Sequence, residues 1–525
     1  MNRDKNKTIP NSIKIILGVM LIVIVFGISY AYFVALDESG TQTVTTKYLK
    51  LEFDNKDATI IASDIAPIYN DEVTSKAAKK TFTIKKASTS DNIYANIKLT
   101  NLNIPSDLAK YDLKWALYKG TDTKIATGDF GGKTSGSIVL ATNQLINSTT
   151  GTTYNLYLWI NETGLDQNAM MGETFSATIN VSGTNEEQNT LANAIVTNGT
   201  KYFLGTKETI TDFSKVTCDS SVCSDAFGLD LSIPENVKDC YERTSGAVCT
   251  VPDDAKEITN EYLTDTTIHD TPTISDTSQD KGLYVQQGDT TKSEMGFPTY
   301  YYRGNILGNY VNFANQIWRI VRINEDGSIK LITESPISVD GYNGVWNDDE
   351  NYVNGYGTET ETDSAAKAAV ESWYNTNIGS NSTLDKKVVT SSFCNDISEN
   401  YRAAGSRISS STPIFTCPAS SIIVYSKVGL ITADEVMYSG AANDDQDQNA
   451  TTKSYLATSS DTYTLTPAYN GIFPVVYFFD PTRGLNPNGL SGSSGNNIRA
   501  VVNLSADVII TGGDGLSADT AYTIG

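Results

Sequence analysis

The stretch YNLYLWIN, residues 154–161, decides how the first half of this chain is read. Tyr154, Leu156, Leu158 and Ile160 alternate with Asn155, Tyr157, Trp159 and Asn161. A period of two places the first set on one face of an extended strand. The same alternation occurs in FSATINVSG (175–183), with Phe175, Ala177, Ile179 and Val181. It recurs in NIYANIKLT (92–100), with Ile93, Ala95, Ile97 and Leu99, and in YLKLEFDN (48–55), with Leu49, Leu51 and Phe53. Strands with one apolar face each, separated by turn residues, predict two antiparallel sheets packed face to face. Residues 37–183 are therefore read as an N-terminal antiparallel β-sandwich.

The period then changes. In GTNEEQNTLANAIVTNG (183–199), Leu191 and Ile195 are four apart and Gly199 suits a helix C′ position, so a short helix is expected to bridge two domains. Residues 184–282 form an acidic connector, with Cys218, Cys223, Cys240 and Cys249 in its Asp-, Ser- and Thr-rich part. Their spacing, C-x4-C-x16-C-x8-C, lacks the close pairs of zinc knuckles. Four cysteines allow three pairings. The simplest is two local disulfides, Cys218–Cys223 and Cys240–Cys249.

Residues 283–525 carry mixed signals and are read as an α+β domain, which makes the chain mainly β. Glu325-Asp326-Gly327-Ser328 separates the apolar runs Ile317–Ile323 and Ile329–Ile332, predicting a hairpin. Its first strand, with Trp318, Ile320 and Val321, is expected to be central and covered on both faces. Asp363 or Ser364 caps a helix striped by Ala366, Val370 and Trp373. Thr432 and Glu435 form a capping box ahead of a second helix that stops by Gly440.

Ahead of all this, Ile15 to Leu36 holds no charged side chain. As a helix it would rise roughly 33 Å, enough to cross a hydrocarbon core of about 30 Å. Arg3, Lys5, Lys7 and Lys14 precede it, which predicts a cytoplasmic N-terminus and an extracellular bulk. Ser29-Tyr30-Ala31 also offers small residues at −3 and −1 of a cut between Ala31 and Tyr32. Residues 1–36 are thus a signal peptide or a membrane anchor. Either way, the protein is placed at the cell surface or secreted.

ILGVMLIVIVFGISYAYF (16–33) resembles the signal peptides of TasA/camelysin-type exported proteins of Gram-positive bacteria, and the strand pattern of the following domain resembles theirs too. Cleavage before the aromatic pair is what the resemblance implies. It further implies fibre formation by strand exchange at the mature N-terminus, here residues 38–53. A second resemblance rests on YYYRGN, NYVNFANQIWRIVRINEDGSIKLI, SSFCND, FTCP, KVGLITADEVMYSG and RAVVNLSADVIITGGDG. These blocks are similar to a domain of uncharacterised function in exported proteins, with a layout like C-type-lectin-like and formylglycine-generating-enzyme-like folds. In that family two cysteines pair, which implies Cys394–Cys417 here. Ala500 departs from the family, which has a proline after the arginine.

Composition narrows the functions. A net charge of −22 disfavours nucleic acid and anionic lipid as partners. The single histidine, His269, lies in a Thr/Asp-rich stretch, so histidine-based triads, zinc hydrolysis and multi-histidine metal sites are not expected. No phosphate loop or dinucleotide fingerprint occurs, and no cofactor is expected. DDQDQN (444–449) begins like a calcium loop, but Ala450 replaces the required glycine. NDDEN (347–351) has no supporting spacing. Tyr342, Trp346, Tyr352 and Tyr356 lie among Gly and Asn and are the candidate ligand-stacking surface, with packing into the core or within the loop as the competing reading. The resulting expectation is an adhesin-like surface protein whose C-terminal domain binds an extracellular glycan or protein. The alternatives are a TasA-like fibre or biofilm-matrix subunit and a carboxylate-based hydrolase.

Overall fold

A computed structural model describes residues 49–53, 58–63, 65–86, 92–198, 200–265, 267–274, 281–287, 298–346, 364–419, 421–441, 453–469, 474–489 and 496–525. The cleavage pair Ala31–Tyr32, the apolar segment within 1–36, Tyr352, Tyr356, the acidic stretch 444–449 and NDDEN lie outside these residues. The fold is mainly β.

Ten strands make the N-terminal unit: β1 Leu49–Phe53, β2 Thr59–Ala62, β3 Pro67–Ile68, β4 Ala78–Lys86, β5 Ile93–Asn103, β6 Leu113–Lys119, β7 Thr123–Asp129, β8 Ser135–Ile146, β9 Thr152–Asn161 and β10 Phe175–Thr184. One sheet runs β1-β4-β9-β6-β7, with β3 added beside β9; the other runs β2-β10-β5-β8. Phe82, Leu156 and Leu158 from the first sheet and Ile97, Leu99 and Ile179 from the second share one apolar cluster. β9 differs from simple alternation, because every residue from Tyr154 to Asn161 is buried. Its second face is covered: Tyr157 and Trp159 pack with Ile68, Val73, Ala116 and Tyr118. Trp159 Nε1 donates to Asn70 Oδ1 at 3.2 Å, so the ring is buried with its polar atom satisfied. β1, the described end of the expected donor segment, pairs with β4 of its own chain, Leu49 opposite Lys86.

The helix Leu191–Asn198 forms where its spacing predicts, but it is not a free bridge. Leu191, Ala194 and Ile195 are buried in the C-terminal core. Leu191 N donates to Val508 O at 3.0 Å, and Ile510 N to Asn189 O at 2.9 Å. Ahead of the helix, Gln188 takes hydrogen bonds from Asn96 (2.7 Å, at Oε1) and Asn143 (2.6 Å, at its carbonyl) of the N-terminal unit. The connector is pinned to both sides.

Residues 200–265 of the acidic connector have regular structure of their own. β11 Thr200–Ile210 and β14 Lys256–Asp265 form a long antiparallel hairpin. Its tip carries β12 Thr217–Cys218, the helix Pro234–Arg243 and β13 Cys249–Thr250. The cysteines pair Cys218–Cys249 and Cys223–Cys240, not locally. The reason is register: β12 lies against β13 with Cys218 directly opposite Cys249. Cys240 is on the inner face of its helix, buried with Val237, and meets the buried Cys223 there. Sulfurs of Cys218, Cys240 and Cys249 lie within 4.8 Å of one another. That closeness reflects two adjacent disulfides, whose sulfurs are not the thiolates that bind zinc.

The C-terminal unit is built on an eleven-stranded sheet. Its strands are β15 His269–Asp270, β16 Gly282–Gln286, β17 Thr299–Arg303, β18 Tyr310–Phe313, β19 Gln316–Ile323, β20 Ile329–Thr333, β21 Val388–Val389, β24 Val428–Gly429, β28 Val501–Leu504, β29 Ile510–Gly512 and β30 Tyr522–Ile524. β22 Ser391–Asn395 and β23 Ile422–Ser426 form a hairpin of their own, and β25 Thr462–Tyr469, β26 Pro474–Asp480 and β27 Gly484–Gly489 a three-stranded sheet. β19 is central, as expected, pairing with β17, β18 and β20. Ser364 caps the helix Ala365–Tyr374 through Lys367 N, and Trp373 of that helix meets Trp318 edge to face at 5.9 Å. The capping box of Thr432 and Glu435 is present. Cys394 is bonded to Cys417.

Candidate functional site

Trp346, expected in a stacking surface, has no exposure to solvent. Its ring lies edge-on to Tyr463 at 5.4 Å. Tyr342 packs against the same core. Glycine and asparagine neighbours suggested an open loop, but the loop folds its indole inward. Trp346 is a core residue and presents no face to a sugar.

A different place has the form of a site. A cavity of about 420 Å³ lies between the N-terminal and C-terminal units. From the first come Lys98, Tyr111, Trp115 and the run Gly128–Gly131; from the second, the β19–β20 turn, β22 and the helix Ala433–Tyr438. The sequence draws these walls together with glycine. Gly131 and Gly132 have φ of +57° and +68°, a conformation other residues adopt at a cost. A Cβ on Gly131 would stand 2.4 Å from Thr390 O, and one on Gly132 2.4 Å from the Tyr425 ring. Thr127 N donates to Glu325 O at 3.3 Å and Cys417 N to the Tyr111 hydroxyl at 3.2 Å. Ser392 Oγ donates to Asp129 Oδ1 at 3.3 Å, and Lys98 and Asp507 form an ion pair at 2.5 Å.

Charges of both signs line the cavity, and most are tied to one another. Glu435 Oε1 accepts from Lys330 Nζ at 2.6 Å and from Arg322 Nε at 3.0 Å. Its Oε2 accepts from Thr432 N at 3.1 Å. Burial alone would raise the Glu435 pKa; the two cations and these hydrogen bonds outweigh it and hold it at about 2. Arg407 grips Asp434 with two nitrogens, at 2.9 and 3.1 Å, and reaches Asp396 Oδ2 at 2.8 Å with the third. This fork geometry is particular to arginine. Asp326 closes the β19–β20 turn by accepting from Ser328 N and Oγ at 2.9 and 2.5 Å. Burial pushes its carboxyl above the ordinary range, and the Asp129 charge adds to that push.

Chemically, the arrangement offers a fixed set of donors and acceptors of balanced charge, with Trp115, Phe393 and Phe415 as apolar patches. His269 stands apart from it, against Tyr284 at 5.1 Å. Of the cavity residues, sequence reading reached Glu435 only as a helix cap. Arg322 and Lys330 did carry a signal. Cations inside IWRIVRI, a run that reads as covered on both faces, and inside the apolar run IKLI interrupt these strands, and a buried cation requires a buried partner. Asp326 was legible only as part of the turn cluster, and Asp129, Arg407 and Asp434 carried none.

The chain matches no protein-family model, no curated protein and no solved structure.

Proposed function

We propose that this protein is an exported bacterial cell-surface binding protein, anchored or released at its N-terminus, that holds an extracellular glycan in the cavity between its two large units. The N-terminal unit is read as a β-sandwich stalk and the C-terminal unit as the lectin-like ligand-binding partner. The observation that carries this reading is the cavity wall, in which Arg322, Lys330 and Glu435, and Arg407 with Asp396 and Asp434, are locked in mutual ion pairs. Such a wall has little net charge to offer an ionic ligand. It keeps lone pairs and N–H groups fixed in place for a neutral, polyhydroxylated one, beside aromatic surface. Glu435 itself is held ionised and does not serve as an acid near neutral pH.

Binding of the ectodomain (residues 32–525) to immobilised glycans and matrix proteins tests this. Replacing Lys133 or Lys386, which also line the cavity, with Ala should weaken capture at least tenfold while leaving the fold unchanged. Equal capture by wild type and both variants would show that the cavity is not the site. A fibre reading has one supporting observation: among the described residues β1 stands at the end of its sheet, with β4 on one side, and an edge strand can template association. Deleting residues 32–47 would abolish filaments in that case and leave glycan capture intact.

A further inference from the structure

Lys114 and Asp129 are directly opposite each other on β6 and β7. The lysine is almost completely buried, and its Nζ has no hydrogen-bond partner. It sits 3.2 Å from the centroid of the Tyr111 ring and 3.9 Å from Asp129 Oδ2. An amine denied both water and an acceptor is an expensive group to bury. Burial lowers its pKa, toward the neutral form that acts as a nucleophile, while Asp129, Asp112 and Glu325 pull the other way. The carboxyl beside it is anchored on one oxygen, Oδ1, by Gly131 N at 2.5 Å and Ser392 Oγ at 3.3 Å. Its other oxygen faces the amine, and the residue opens onto the cavity, so a leaving molecule has a way out.

From this geometry we infer that Lys114 and Asp129 condense into an intramolecular amide, a covalent rung between β6 and β7. The ammonium passes a proton to the carboxylate, giving a neutral amine and a carboxylic acid. Nζ then adds to Cγ, and the C–N bond forms. The C–Oδ2 bond breaks, and the oxygen departs as water, carrying the acid proton and one amine proton. No electrons are exchanged, and no co-reactant is needed. Asp112 and Glu325 add the other negative charges that act on the amine. In the product, the amide N–H is left facing the Tyr111 ring, a weak acceptor suited to it. The rung would tie down β7, the end strand of its sheet among the described residues, at the point where the C-terminal unit docks.

The intact mass of the full-length protein, reduced and alkylated, tests this without any variant. It should be one water lighter than its amino-acid sequence requires. Trypsin should fail to cut after Lys114 and should release a branched peptide joining residues 111–119 to 125–133. Lys114→Arg should restore the missing water and lose the branched peptide. A mixture of the two masses in wild type, with the lighter one absent from the variant, also supports the amide. An intact mass with no water missing overturns it, as does a water lost elsewhere with normal cleavage after Lys114.

Discussion

Replacing Glu435 with Gln should destabilise the C-terminal unit by about 3–5 kcal/mol near neutral pH, and the loss should fade in acid. The carboxylate is shared by two cations, and a neutral amide leaves Lys330 and Arg322 buried without a counter-charge; breaking a buried pair in this way costs about that much. A second estimate comes from linkage. Glu435 has a folded pKa of about 2 against 4.5 for a free glutamate, and a difference of that size is worth about 3 kcal/mol. The folded value is the depressed one. Its contribution is therefore complete above pH 4.5 and is lost as the pH falls toward 2. The assay is urea unfolding followed by tryptophan fluorescence at several pH values for wild type and variant; Trp318, Trp346 and Trp373 report on the C-terminal unit and Trp115 and Trp159 on the N-terminal one, so the transition that shifts between the two proteins is the one read. The two stabilities should converge as the pH approaches 2. A difference under about 1 kcal/mol at pH 7, as for an exposed pair, would refute the reasoning. So would a large difference that is the same at every pH.

Leu191→Ala should lower the stability of the C-terminal unit by about 2–5 kcal/mol, as for a buried leucine; a fragment 185–525 should likewise unfold at higher urea than 283–525. Gly132→Val should open the joint between the units, because its side chain would enter the Tyr425 ring, and limited proteolysis near residues 184–190 should then be faster than in wild type. Non-reducing peptide maps should give Cys218–Cys249 and Cys223–Cys240, and replacing Cys394 and Cys417 by Ser should cost about 3 kcal/mol on loop-entropy grounds.

Much of the local structure was legible in the chain. Alternation located β5, β9 and β10, the Glu-Asp-Gly-Ser cluster located the β19–β20 turn, and Thr432 with Glu435 located a helix start. Each of these is a short-range signal, written within a few residues. What remained hidden was long-range. The pairing of Cys218 with Cys249 depends on two short strands meeting across 31 positions, which spacing cannot reveal. Trp346 looked like a loop aromatic because its partner, Tyr463, is more than a hundred residues away. The cavity was the least legible feature, since Asp129 and Asp326 belong to different units and become neighbours only when these dock. Even so, the cations inside β19 and β20 were a usable clue that acids elsewhere must come to meet them.

The hairpin of β11 and β14 leaves the C-terminal unit just after the helix Leu191–Asn198 and comes back just before β15, with Thr200 opposite Asp265. The chain thus departs from one body and rejoins it at nearly the same point, carrying a disulfide-stapled cargo at the far end. Such a graft places no demand on the length or identity of what it carries, because the two stems are already held at a fixed spacing by their own ladder. Evolution, or a protein engineer, could exchange everything between Thr211 and Ala255 for another module without moving a residue of the host. The stem would then serve as a mast for displaying whatever was attached.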